Sequence, residues 1–175
     1  MKKEAYTTLV LPILDYASSS WDPYTEGNIS KLERVQNKAA RFIKRDYRWN
    51  SSVTKIKADL KLQSLQQRRF IARNVQFHKS LRRESAIETN LLNHTTTEHI
   101  AHIQSRIDAY KYSFIPRTTR CWNIIDEKVR AVDSKSFREK LASEFENESI
   151  VLTNPRGIYN RPNLGKGNRT KNFVY

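Results

Sequence analysis

The sequence predicts a mainly α-helical bundle followed by a basic, disordered C-terminal tail. Three observations lead there. Apolar residues recur every three or four positions over most of the first 146 residues, the period of one helix face. Glycine occurs four times, and three of those (Gly157, Gly165, Gly167) fall near the C-terminus, so tight hairpin turns are scarce before them. A hydrophobic content of 38% with 10% aromatics supports a modest core and is too high for wholesale disorder.

The elements follow in order. Residues 3–17 read as an amphipathic helix whose apolar face is Tyr6, Leu9, Ile13 and Tyr16, kinked at Pro12. Trp21-Asp22-Pro23 closes it as a turn. Residues 28–46 give the clearest helix, with Leu32, Val35, Ala39 and Phe42 on one stripe and Arg34, Lys38, Arg41 and Arg45 on another. Ser51 or Ser52 can cap a short helix carrying Val53, Ile56 and Leu60. Ser64 and Gln67 form a capping-box pair for a helix over 65–82. That helix has two apolar edges, Leu65, Ala72 and Val75 on one and Phe70, Phe77 and Leu81 on the other, so it should lie between neighbours. Residues 83–105 read as a loop with a helical turn near Ile100. The alternation of Tyr110, Tyr112 and Phe114 suggests a short extended segment. Pro116 suits the first turn of a helix running to about Ile125, and Phe137, Leu141 and Phe145 mark a last helix over 134–146. From Thr153 onward there are five bases, no acids, two prolines and three glycines, the composition of a tail.

Charge narrows the function. Lys and Arg number 32 against 18 acids, a net +14. Between Arg34 and Arg83 there are 15 bases and two acids, Asp46 and Asp59. Such density calls for a polyanionic partner or an anionic surface. Cys121 is the sole cysteine, which excludes an internal disulfide. The longest apolar run, Leu9 to Leu14, is too short to span a bilayer, and Met1-Lys2-Lys3 does not open a secretory signal. No membrane insertion is expected, and the expected location is intracellular, in nucleus or cytoplasm.

No catalytic constellation stands out. GxxxxGK[ST], GxGxxG and GxSxG are absent, and the carboxylates are too scattered for two-metal phosphoryl transfer. His94, His99 and His102 lack supporting ligands, so neither metal nor cofactor is expected. Binding residues are easier to nominate. Arg34, Lys38, Arg41 and Arg45 of the cationic stripe are joined as candidates by Lys44 and Arg48, and Arg69 and Arg73 lie between the two apolar edges of their helix. Arg117 and Arg120 sit at a helix start, where they oppose the dipole and imply an anionic partner or a buried acid. Tyr47 and Trp49 alternate with Arg45, Asp46 and Arg48. The expectation is that both aromatics close the core; the alternative is that they stack on a base while the cations hold phosphates.

Five ordered blocks carry a resemblance. They are Leu9-Val10-Leu11-Pro12-Ile13-Leu14-Asp15-Tyr16-Ala17 with Trp21-Asp22-Pro23-Tyr24; Leu32-Glu33-Arg34-Val35-Gln36-Asn37-Lys38-Ala39-Ala40-Arg41-Phe42-Ile43; Ser64-Leu65-Gln66-Gln67-Arg68-Arg69; Ser113-Phe114-Ile115-Pro116-Arg117-Thr118; and Trp122-Asn123 with Ser136-Phe137-Arg138. Over about residues 5–145 the chain resembles the thumb and post-palm region of non-LTR (LINE-type, jockey-like and chicken-repeat-like) retrotransposon reverse transcriptases. The resemblance implies a thumb-like segment at 3–62 and a C-terminal extension at 63–146; composition sets off the basic tail at 147–175. The resemblance also implies an RNA/DNA duplex or DNA as partner, together with a fingers-palm half that holds the catalytic aspartates. No polymerisation is expected of this chain by itself. Leu11 and Asp15 depart from the family's usual Arg and Glu, and the tail has no counterpart there. Two further readings stay open: a non-functional relic or incomplete gene model of a mobile element, and a basic module that binds an anionic membrane or an acidic protein.

Overall fold

The computed structural model describes residues 1–85, 95–101 and 103–147, and the backbone of 151–152 and 159–160. Within these the chain is mainly α-helical. It opens with α1 (Lys2–Ala5), a π-helical turn (Tyr6–Val10) and α2 (Leu11–Asp15), which run on as one bent helix. The cause of the π-turn is Pro12. A proline inside a helix lacks an N–H and crowds the carbonyl four residues back, and the wider turn relieves both. The Thr7 and Thr8 hydroxyls donate to the Lys3 and Glu4 carbonyls at 2.7–3.1 Å.

That extra residue per turn rotates the helix. The inward face runs Tyr6, Leu11 and Leu14. The expected face is turned outward, with Leu9, Ile13 and Tyr16 67%, 73% and 79% exposed. After α3 (Ser18–Trp21) comes α4 (Glu26–Lys44), again with a rotated face. Ile29, Gln36 and Ala40 are buried, whereas Val35 and Phe42 are exposed. Gln36 can occupy the interior because its amide donates to the Gln63 carbonyl at 3.0 Å.

Helix α5 (Val53–Asp59) is capped by Ser52, which accepts from the Lys55 N–H. Helix α6 (Leu65–Leu81) is capped by Ser64, which accepts from the Gln67 N–H at 3.1 Å. Glu33 of α4 adds a second N-terminal acceptor, taking the Gln66 N–H at 3.1 Å and the Lys57 ammonium at 3.3 Å. Helices α4, α5 and α6 all end in the same way. Arg45, Lys61 and Arg83 adopt φ of 53° to 58°, a conformation glycine usually takes. The following N–H reaches back five residues in each case: Asp46 to Arg41, Leu62 to Lys57, Glu84 to Lys79. A scarcity of glycine therefore did not deprive these helices of ordinary stops, and a cation at each end complements the dipole.

Helix α6 is the central element, packed against α2, α3, α4, α8 (Phe114–Trp122) and α10 (Ser134–Glu146). The larger core gathers Phe70 and Phe77 of α6 with Trp122, Ile125, Phe137 and Leu141. Two smaller clusters, Tyr6–Leu11–Leu65 and Ala40–Ile56–Leu60, lie toward the N-terminal helices. The segment over 95–101 is irregular. It is anchored where Asn123 brackets Ile100, taking its N–H at 3.1 Å and donating to its carbonyl at 2.8 Å. The extended segment expected at 110–114 is absent. Tyr110 lies in α7 (Asp108–Lys111), Phe114 opens α8, and Tyr112 between them stacks on Tyr24 at 4.3 Å. Three alternating aromatics are too short a pattern to outweigh two helix starts. Helix α9 (Glu127–Arg130), capped by Asp126, was not foreseen. In the tail, β1 (Val151–Leu152) pairs antiparallel with β2 (Tyr159–Asn160). The remainder of the 147–175 expectation, and His94 and His102, lie outside the described residues.

His78 is fully buried on α6, stacked on Phe137 at 4.2 Å. Its Nε2 faces the carbonyls of Arg130 (3.2 Å) and Val132 (3.1 Å), so it carries the proton, and Nδ1 accepts from Ser134 Oγ at 3.2 Å. Burial pushes its pKa below the ordinary 6.5. The unfolded chain therefore takes up the proton first as pH falls. The neutral ring's contribution is complete above about pH 6.5 and declines below it, down to the folded pKa. Urea midpoints measured from about pH 7.5 to about pH 5.5 should fall, and His78→Gln should flatten that part of the slope. An unchanged slope in His78→Gln would remove His78 as its source.

Candidate nucleic-acid interface

The cations of α4 lie directly opposite its buried face. At about 100° per residue, Arg34, Lys38 and Arg41 fall within a narrow sector of α4, and Arg45 follows as its left-handed cap. Gln36 and Ala40, both fully buried, occupy the other side. Arg34, Lys38 and Arg45 are exposed, and their side chains form no hydrogen bond or ion pair with another described residue. None of the four is buried against a carboxylate.

Arg41 does something else. Its guanidinium donates to the carbonyls of Asp46 (3.4 Å), Arg48 (3.0 Å) and Ser51 (3.1 Å), so it ties down the loop after α4 instead of facing solvent. Asp46 completes the tie. Its carboxylate accepts from the Arg48 N–H (3.2 Å), the Arg48 side chain (3.1 Å) and Ser51 Oγ (2.7 Å). Those bonds hold its pKa well below the usual carboxylate range. Lys44 pairs with Asp59 at 3.2 Å in an exposed geometry, the kind that contributes little and releases its cation easily.

Held this way, the loop turns its aromatics outward. Tyr47 is 66% and Trp49 94% exposed, against the expectation that they close the core. The core already has its lids: Ile56 and Leu60 of the following helix cover Ala40. A shallow groove of about 440 Å³ lies alongside, lined by Lys44, Arg45, Asp46, Tyr47, Arg48, Ile56 and Asp59. The alternation of aromatic and basic residues was the sequence signal for this site.

Three other nominated residues are interior. Arg73 and Arg117 both form ion pairs with Asp22, which is itself nearly buried. Arg117 also donates to the Asp22 carbonyl at 2.9 Å, and Arg73 reaches Cys121 Sγ at 3.4 Å. Arg69, 3% exposed, donates to the Leu14 carbonyl at 3.2 Å and lies 4.9 Å over the Trp21 ring. Burial lowers the Arg69 pKa, with Asp22 and Asp15 opposing the shift. Of the two alternatives at the start of α8, the structure supplies the buried acid, and it is Asp22. Arg120 is partly buried, its guanidinium within 3.5 Å of the Lys111 carbonyl and 6.0 Å from the Tyr112 ring. Arg41 and these four residues face inward or onto the backbone; Arg34, Lys38, Lys44, Arg45 and Arg48 stay exposed.

His99 is exposed, and among the described residues no group of three His, Cys, Asp or Glu side chains is arranged to hold a metal ion. No described helix is long and apolar enough to cross a membrane. No known protein family, curated protein or solved structure matches the chain.

Proposed function

We propose that this chain binds nucleic acid without sequence preference, contacting the phosphate backbone of an RNA/DNA or DNA duplex through the outer face of α4. The residue blocks that resemble LINE-type reverse transcriptases suggest its setting, a piece of such a polymerase that acts alongside a separate fingers-palm half. The observation that carries the reading is the line of Arg34, Lys38 and Arg45, exposed and unpaired among the described residues. A helix face that merely meets solvent ordinarily mixes both signs of charge, and this one carries only cations.

Counterion release gives the test. Binding to a duplex should weaken linearly on a log–log salt plot, with a slope of about −0.9 per phosphate neutralised. Arg34→Ala with Lys38→Ala should reduce that slope by about two contacts, equally for unrelated sequences, and leave melting within about 0.5 kcal/mol. A flat salt response in the parent chain would falsify the electrostatic interface. A second reading, attachment to an anionic lipid surface, draws on the outward Leu9, Ile13 and Tyr16 of the first helix. Co-sedimentation with anionic vesicles that survives Arg34→Ala with Lys38→Ala, and is lost in Leu9→Ser with Ile13→Ser, would favour it.

A further inference from the structure

The α4 stripe accounts for phosphate contacts and leaves Tyr47 and Trp49 without a role. Exposing two large aromatics is costly, since a fully buried aromatic side chain would contribute roughly 1.5–3 kcal/mol. Folding does not merely fail to bury them here. The loop is fixed from behind by the Arg41 guanidinium on three of its carbonyls and by Asp46 on Arg48 and Ser51. That bracing prevents the loop from collapsing onto Ile56 and keeps the rings facing outward. Lys44, Arg45 and Arg48 line a groove together with Tyr47, and Trp49 follows Arg48 directly in the loop.

Given that the chain binds nucleic acid at all, we propose that this loop is a stacking site for an unpaired nucleobase. The base would lie on Tyr47 and Trp49, and the flanking phosphodiesters would be held by Lys44, Arg45 and Arg48. Every nucleobase has a π-face and every nucleotide a phosphate, so the site takes single-stranded RNA or DNA with little regard to sequence. A fully paired duplex offers no free base face except at its ends. The chain should therefore prefer a single strand, or a duplex with an overhang, to a closed duplex. Because the loop is already ordered, stacking costs little further ordering of the protein.

Fluorescence anisotropy with the full chain decides this, using a single-stranded oligonucleotide, a duplex with a six-nucleotide overhang and a hairpin-closed duplex. The single strand and the overhang should bind more tightly than the closed duplex. Tyr47→Ala with Trp49→Ala should weaken the first two by about fivefold to about 100-fold and abolish the preference. Trp49→Phe should keep the preference, since any aromatic ring can stack. Tyr110→Ala, at an exposed aromatic of α7, should leave it intact. Equal binding of all three forms, with salt dependence retained, overturns the stacking site and spares the α4 interface. The same holds if the double variant weakens all three forms alike. Absence of salt-dependent binding to any form overturns the interface and the stacking site together.

Discussion

Asp22→Ala should lower the stability of the folded chain by about 3–5 kcal/mol, among the largest effects available to a single substitution here. Asp22 pairs with both Arg73 and Arg117, and those guanidinium side chains are 2% and 6% exposed. Removing it takes a nearly buried carboxylate away from two buried cations at once. Since marginal stability is typically about 5–15 kcal/mol, the loss consumes a large part of the total. Asp15→Ala provides the comparison. Its partner Arg68 is reached at 2.9 Å, but both side chains are more than a quarter exposed, so water replaces much of what is lost. That variant should cost about 1 kcal/mol or less. Urea unfolding of the two variants at low and high salt checks the difference. The Asp22 loss should barely change with ionic strength, because buried pairs are poorly screened. If both variants lose the same small amount, Arg73 and Arg117 are solvated and the buried cluster does not exist as described.

Trp122→Ala should be comparably severe for a different reason. Trp122 is fully buried and touches Phe77, His78 and Phe137, with ring centroids 5.2–6.0 Å apart. Truncation leaves a cavity in the larger core and should cost about 3–5 kcal/mol, a fall on the order of 10 °C in Tm for a chain of this length. Trp122→Phe should be much milder. The indole N–H has no hydrogen-bond partner among the described residues, so nothing polar is orphaned and only volume is lost. Calorimetric melting orders the two variants. A phenylalanine variant as damaged as the alanine one would mean that the N–H does have a partner.

Both predictions concern residues whose position the sequence showed and whose partners it did not. The helix boundaries were legible because their causes are local. Ser52 and Ser64 cap their own helices, Pro116 sits in a first turn, and Phe137, Leu141 and Phe145 repeat every four residues. Arg34 and Lys38 were legible as part of the site for the same reason, since residue spacing alone places them together on α4.

Which way each face points was not legible. The π-turn forced by Pro12 moves the inward positions from Leu9 and Ile13 to Leu11 and Leu14. Gln36 and Ala40 take the inward side of α4 because a distant carbonyl accepts from the Gln36 amide N–H and a small residue admits Ile56. The spacing predicts Tyr47 and Trp49 inside, but the loop tied down by Arg41 holds them outside. The fate of the arginines depended most on distance along the chain. Arg73 and Arg117 meet Asp22 across 51 and 95 residues. The sequence alone determined that the chain is mainly helical, where its serine-capped helices begin, and that it is strongly cationic. Only the tertiary structure decided which cations face solvent. Helix periodicity is a property of neighbouring residues, whereas the cost of burying a charge is set by whatever the fold brings beside it.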